Sequence, residues 1–152
     1  MLSDGRYYLC NGWLQSKMYL FDRQNDFSFE LFHDEDSVLY ASDDLVINKE
    51  KTKAYSACRR GNENRAHVAV IDIETRKIIN TIQTGVGTCG LTMTSDERYV
   101  IASNDQDDSI SVIDTVTDTV VNTPCAKAGF DKLGIRGYIQ GISCGKDDSV
   151  YV

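Results

Sequence analysis

The chain has 152 residues, a formal net charge of −7 and 41% hydrophobic residues, with eleven glycines and one proline, the make-up of an ordinary globular domain. No apolar run approaches the roughly 18 to 20 residues that a membrane-spanning helix needs, and Met1 to Arg6 lack the charged and apolar regions of a secretory signal, so a cytoplasmic protein without a membrane partner is expected. Sixteen basic against 23 acidic residues argue against nucleic acid, whose phosphates call for clustered Lys and Arg.

The five cysteines, Cys10, Cys58, Cys89, Cys125 and Cys144, are odd in number, widely spaced and free of any Cys-x-x-Cys pair. They read as reduced, buried thiols rather than as a disulfide framework or a zinc site. His33 and His67 are the only histidines, so neither a metal site nor a cofactor is expected.

In chain order, short β-rich runs replace helical periodicity: Tyr7–Cys10, Lys17–Phe21, His67–Ile71, Ser109–Ile113 and Thr119–Val121. The runs recur. Leu45–Ile47, a turn, then Ala54–Ser56 match Leu91–Met93, the turn Thr94–Arg98, then Val100–Ala102, and match Ile142–Cys144, a turn, then Val150–Val152. Equivalent residues of the second strand are Tyr8, Tyr55, Ile101 and Tyr151, about 47, 46 and 50 residues apart. An aspartate follows the third strand of each unit at Asp22, Asp72 and Asp114, where its carboxylate suits the first position of a tight turn by accepting backbone N–H groups. Thr75 and Thr117, three residues on, suit the same turn. Another strand follows each, so each unit is a four-stranded antiparallel meander. Four strands over about 45 residues are what one β-propeller blade requires.

The run from Thr81 to Asp96, continued through Val100–Asn104 to Ser111–Asp114, resembles the YVTN-type β-propeller repeat, most strongly from Val68 to Thr123. The chain departs from that motif in lacking the turn prolines, in carrying Glu97 for the turn glycine, and in Ile101 and Ala102 for its tyrosine and valine. The resemblance implies an all-β fold of propeller blades. With strands A to D named from the inside outward, blade 1 covers approximately residues 1–33 without its first strand, blade 2 residues 38–84, and blade 3 residues 86–124. The start of a fourth blade covers residues 138–152. Rings close with about four to eight blades, so an incomplete or open ring of about three is expected, either a segment of a longer propeller or a chain that completes a ring as a homo-oligomer.

Function in a propeller belongs to its loops. The B–C loop of blade 2, Cys58 to His67, carries Arg59, Arg60, Arg65 and His67, and the D–A connection from Pro124 to Tyr138 contributes Lys132 and Arg136. Guanidinium forks bind carboxylates and other anions bidentately, so these six residues are the candidate site for a small anionic ligand. The acidic loop Asn104–Ser109 reads as solvated hairpin rather than a calcium loop, since it lacks the mid-loop glycine and terminal glutamate of an EF-hand. No local Ser or Cys nucleophile with a His and a third orienting group is evident. The expectation is therefore a non-catalytic scaffold for a protein or ligand. The resemblance admits an enzyme alternative, the large subunit of a quinone-dependent amine dehydrogenase or a sugar lactonase.

Overall fold

The computed structural model describes the backbone of residues 7–12, 17–22, 28–33 and 42, and backbone and side chains of residues 43–59, 66–124 and 141–151. These residues form thirteen strands and no helix. Strands β1 (Tyr7–Gly12), β2 (Lys17–Asp22) and β3 (Ser28–His33) make a three-stranded antiparallel sheet in sequence order. Strands β4 (Ser42–Ile47), β5 (Lys53–Cys58), β6 (His67–Asp72) and β7 (Lys77–Gln83) make a four-stranded sheet. A second such sheet contains β8 (Thr88–Met93), β9 (Tyr99–Asn104), β10 (Ser109–Asp114) and β11 (Thr119–Asn122). The hairpin of β12 (Ser143–Cys144) and β13 (Val150–Tyr151) follows. Every pairing is antiparallel between consecutive strands, the meander that the repeat predicts.

The turns use the predicted chemistry. Asp72 Oδ1 accepts the Thr75 backbone N–H at 2.7 Å and the Thr75 hydroxyl at 2.8 Å. Asp114 Oδ1 accepts the N–H groups of Val116 and Thr117 at 2.8 and 3.2 Å. The Thr117 hydroxyl instead meets that of Thr119 at 2.8 Å, so the two hairpins differ in that detail. Left-handed backbone recurs with the repeat: Lys51, Glu97 and Asp148 have φ of 59°, 61° and 61° in the A–B turns, and Arg76 and Asp118 have 56° and 50° in the C–D turns. Each such non-glycine residue costs about 1 kcal/mol, which the packing of the blades has to overcome.

Alternation along the strands buries both faces of blade 2. Tyr55, Ala57, Val68, Val70 and Ile82 join Leu91, Val100, Ala102 and Ile113 of blade 3 in one core between the sheets. Ala54, Cys58, Ala69 and Ile71 form a second cluster with Leu45, Ile47, Ile73 and Ile78. Residues that alternate along β5 and β6 thus serve opposite faces, which is why Val68–Ile71 of β6 reads as a continuous apolar run and Ala54–Cys58 of β5 is interrupted only by Ser56.

The irregularities repeat too. The pairing of β4 with β5 slips between Ser42 and Asp44, and that of β8 with β9 between Thr88 and Gly90, leaving Asp43 and Cys89 as the extra residues at equivalent points. On the outer strands the extra residues are Ile79 in β7 and Val121 in β11. A bulge bends its strand and re-aims side chains; the inner pair does so at the end of the sheets where the B–C and D–A loops lie.

Candidate functional site

Between the first strands of blades 2 and 3 lies a cleft of about 360 Å³ lined by Asp43, Asp44, Arg59, Cys89 and Gly90, a size within the ~300–1,000 Å³ common for small-ligand sites. Its walls are the two inner bulges and the residue following β5. In the repeat alignment Asp43 and Asp44 of blade 2 correspond to Cys89 and Gly90 of blade 3, so blade 3 presents small groups where blade 2 presents carboxylates.

Arg59 bridges the junction. Its guanidinium makes a close ion pair with the buried carboxylate of Asp105 and a longer one, at 3.6 Å, with Asp43. Asp44 spans the blades through its carboxylate, accepting the N–H of Leu45 and, across the interface, the N–H of Leu91, both at 2.8 Å. Cys89 is buried, and burial pushes its thiol pKa up, partly offset by a hydrogen bond with Ser103. Its chemistry is that of a neutral thiol rather than a thiolate nucleophile.

Behind the cleft a polar network holds the loops. Thr88 Oγ1 donates to Asn104 Oδ1 at 2.8 Å, and Asn104 Nδ2 donates to Ser109 Oγ and Ser111 Oγ at 2.9 and 3.0 Å. Asp107 accepts the Val86 N–H at 2.8 Å and the Ser109 hydroxyl at 2.6 Å. Gly85 and Gly87 are required here: a Cβ on Gly85 would lie 2.5 Å from Asn104 Nδ2, and Gly87, at φ 77°, would drive a Cβ into the Asp105 carboxylate.

Of the sequence-derived site residues, the structure places Arg59 in the cleft, and His67 at the start of β6, 8% exposed and in register with Cys58 and Gln83. His67 does not line the cleft. Arg60, Arg65, Lys132 and Arg136 lie outside the described residues. The Asn104–Ser109 loop departs from the solvated hairpin expected: Asn104, Asp105 and Ser109 are buried, because their side chains hold the neighbouring loop and Arg59. Asp43, Asp44, Asp105 and Cys89 were not singled out from the sequence as site residues. The signal lay in the repeat itself, since Arg59 and Asp105 are equivalent positions of opposite charge. Among the described residues no group of three or more His, Cys, Asp or Glu is placed to hold a metal ion.

No family profile matches the chain, and no curated protein matches it by sequence. By structure, it is similar to Kuenenia stuttgartiensis hydrazine synthase, with a TM-score of 0.78 at 14% identity over 95% of this chain and 37% of that one. It is also similar to the WD40 β-propeller domain of Doa1, with a TM-score of 0.73 at 9% identity over 99% of this chain and 44% of that one. The chain thus spans less than half the length of either structure. At such identities the likeness shows the fold alone, and with the four antiparallel sheets it establishes an all-β chain built of β-propeller blades in an open arc.

Proposed function

We propose that the chain is a non-catalytic, YVTN-like β-propeller segment that serves as a binding scaffold, with the cleft at the junction of blades 2 and 3 as its ligand seat. The observation that carries this reading is the cleft's construction: two bulges at equivalent repeat positions, plus Arg59, shape a polar recess on the loop end of a rigid double-faced core. Polar side chains behind it are committed to one another. The Asn104 network and the Arg59–Asp105 pair fix loops in place, which supports pre-organised binding. A bound anion would draw on Arg60, Arg65, Lys132 and Arg136, outside the described residues.

The purified protein tests this. Amine oxidation with an artificial electron acceptor and acid release from a sugar lactone are both expected to be absent, while ligands perturb amide resonances at the cleft. Turnover that disappears on Asp43→Asn or Arg59→Gln would overturn the scaffold reading in favour of the enzyme alternative.

A further inference from the structure

The last hairpin holds an interface position with nothing packed on it. Pairing register sets Tyr151 opposite Ser143, where Tyr55 stands opposite Val46 and Ile101 opposite Thr92. Tyr55 and Ile101 are 1% and 5% exposed, whereas Tyr151 is 62% exposed. Blade 3 covers Tyr55, and its Asp118 accepts the Tyr55 hydroxyl at 2.8 Å; the Tyr151 hydroxyl has no partner among the described residues. Strands β5 and β9 pair along both edges, but β13 pairs with β12 alone. The backbone N–H groups of Lys49 and Ser95 each meet a carboxylate of the following blade. Lys146, at the same point of the last A–B turn, has no such acceptor among the described residues.

The first sheet is the counterpart. Strand β1 pairs with β2 alone, so its inner edge lacks the strand that β4 and β8 supply to β5 and β9. By pairing, Tyr8 opposite Phe21 takes the place of Val100 opposite Ile113, one residue from the equivalence with Tyr55 that the sequence suggests. Val100 and Ile113 pack against the blade before theirs; ahead of the first sheet the described residues hold no blade. Asp26, outside the described residues, follows Asp22 by four positions as Asp118 follows Asp114, whereas blade 2 has Arg76 at that point.

We propose that a second copy of this chain docks here head to tail: blade 1 of one copy seats on the β12–β13 hairpin of the other, and Tyr151 donates to Asp26 across the contact, continuing the junctions inside each arc. Such a contact is heterologous and repeats until it closes. Each chain carries four sheets, so two copies bring eight blade units, within the about four to eight of a closed ring. The product is a dimer closed by two identical junctions.

Light scattering on the full 152-residue chain, with circular dichroism as the check on folding, tests it. The wild-type chain is expected to be a dimer that dissociates on dilution. Tyr151→Lys blocks the tail and Tyr8→Lys the head, and each is expected to weaken association at least about ten-fold, as loss of a central interface anchor does. Mixing the two restores one intact junction, the head of the first variant on the tail of the second, so the mixture is expected to dimerise where neither does alone. A contact between like tails would instead leave Tyr8→Lys dimeric by itself. The proposal is overturned by a monomeric wild type, by growth into ever larger species, by a dimer indifferent to either substitution, or by folded variants that stay monomeric when mixed. Should Tyr8→Lys disturb the fold, Asp26→Lys takes its place as the head variant.

Discussion

Arg59 and Asp105 occupy the same position in successive repeats, 46 residues apart, and are ion-paired across the blade junction. A second cross-blade bond recurs along the arc: Glu97 Oε1 accepts the backbone N–H of Lys49 at 2.6 Å, and Asp148 Oδ1 accepts that of Ser95 at 2.7 Å. Both acceptors sit at left-handed positions of the A–B turn. The turn glycine of the YVTN-type motif would relieve the backbone there, but would forfeit the carboxylate that ties one blade to the one before it.

Glu97 therefore separates two effects. Glu97→Gln keeps an acceptor and is expected to stay near wild-type stability. Glu97→Ala keeps the strained φ and loses the bond, costing about 1 kcal/mol, as loss of a helix cap does. Glu97→Gly is expected to fall between them, since glycine removes the left-handed penalty. Urea denaturation of the three variants gives the order.

Tyr55 and Lys53 of blade 2 both donate to Asp118 of blade 3, at 2.8 and 2.9 Å. Tyr55→Phe is expected to cost about 1 kcal/mol, the net worth of one hydrogen bond. Asp118→Ala should cost more, about 2 kcal/mol, because it removes both bonds and leaves the phenol and the ammonium only the Thr115 carbonyl, at 3.5 and 3.3 Å. A double-mutant cycle with Lys53→Met would show coupling between the two donors.

Stability should decline at both ends of the pH scale. Backbone N–H groups and hydroxyls hold Asp72, Asp96 and Asp147 below the ordinary carboxyl range; at Asp114 burial opposes the charge, but the N–H groups of Val116 and Thr117 and the Arg98 guanidinium outweigh it. The unfolded chain then binds more protons in acid, so stability present above about pH 4 is lost as pH falls further. Burial, then the bond to Asp118, raises the Tyr55 pKa. Its unfolded form loses a proton more readily, so stability also falls above about pH 10. Thermal melts from pH 2 to 11, with tyrosinate absorbance in the alkaline arm, check both limbs.

Thiol labelling should follow burial. Cys58 is fully buried and Cys89 nearly so, whereas Cys144 is half-buried in the last hairpin. Maleimide on the native protein is expected to modify Cys144 well before Cys58 and Cys89, read by mass spectrometry of peptides. Early loss of Cys58 would contradict the packing of β5 against β6.

Much of the fold was legible because blade periodicity is written in local residues: apolar strand runs, and aspartates that end the third strand. The cleft was legible only in part. Arg59 stood out as a basic residue in an acidic chain, but its partners Asp43 and Asp105 come from a bulge and from the next blade. Neither a one-residue slip in register nor the burial of a loop aspartate leaves a local mark. Comparing repeat-equivalent positions for opposite charge would have exposed the Arg59–Asp105 pair; the role of Asp43 depends on the bulge at Ser42/Asp44.

The extra residues of the outer strands, Ile79 and Val121, are about half exposed. A rim strand that is regular and apolar offers a ready template on which another chain can zip up. In blades 2 and 3 the rim strand is broken by a one-residue kink, so a foreign strand laid along β7 or β11 would lose its hydrogen-bond register part-way, whereas β3 of the first sheet pairs with β2 in unbroken register. The outer edges of those two blades are thereby poor templates for fibre-like stacking.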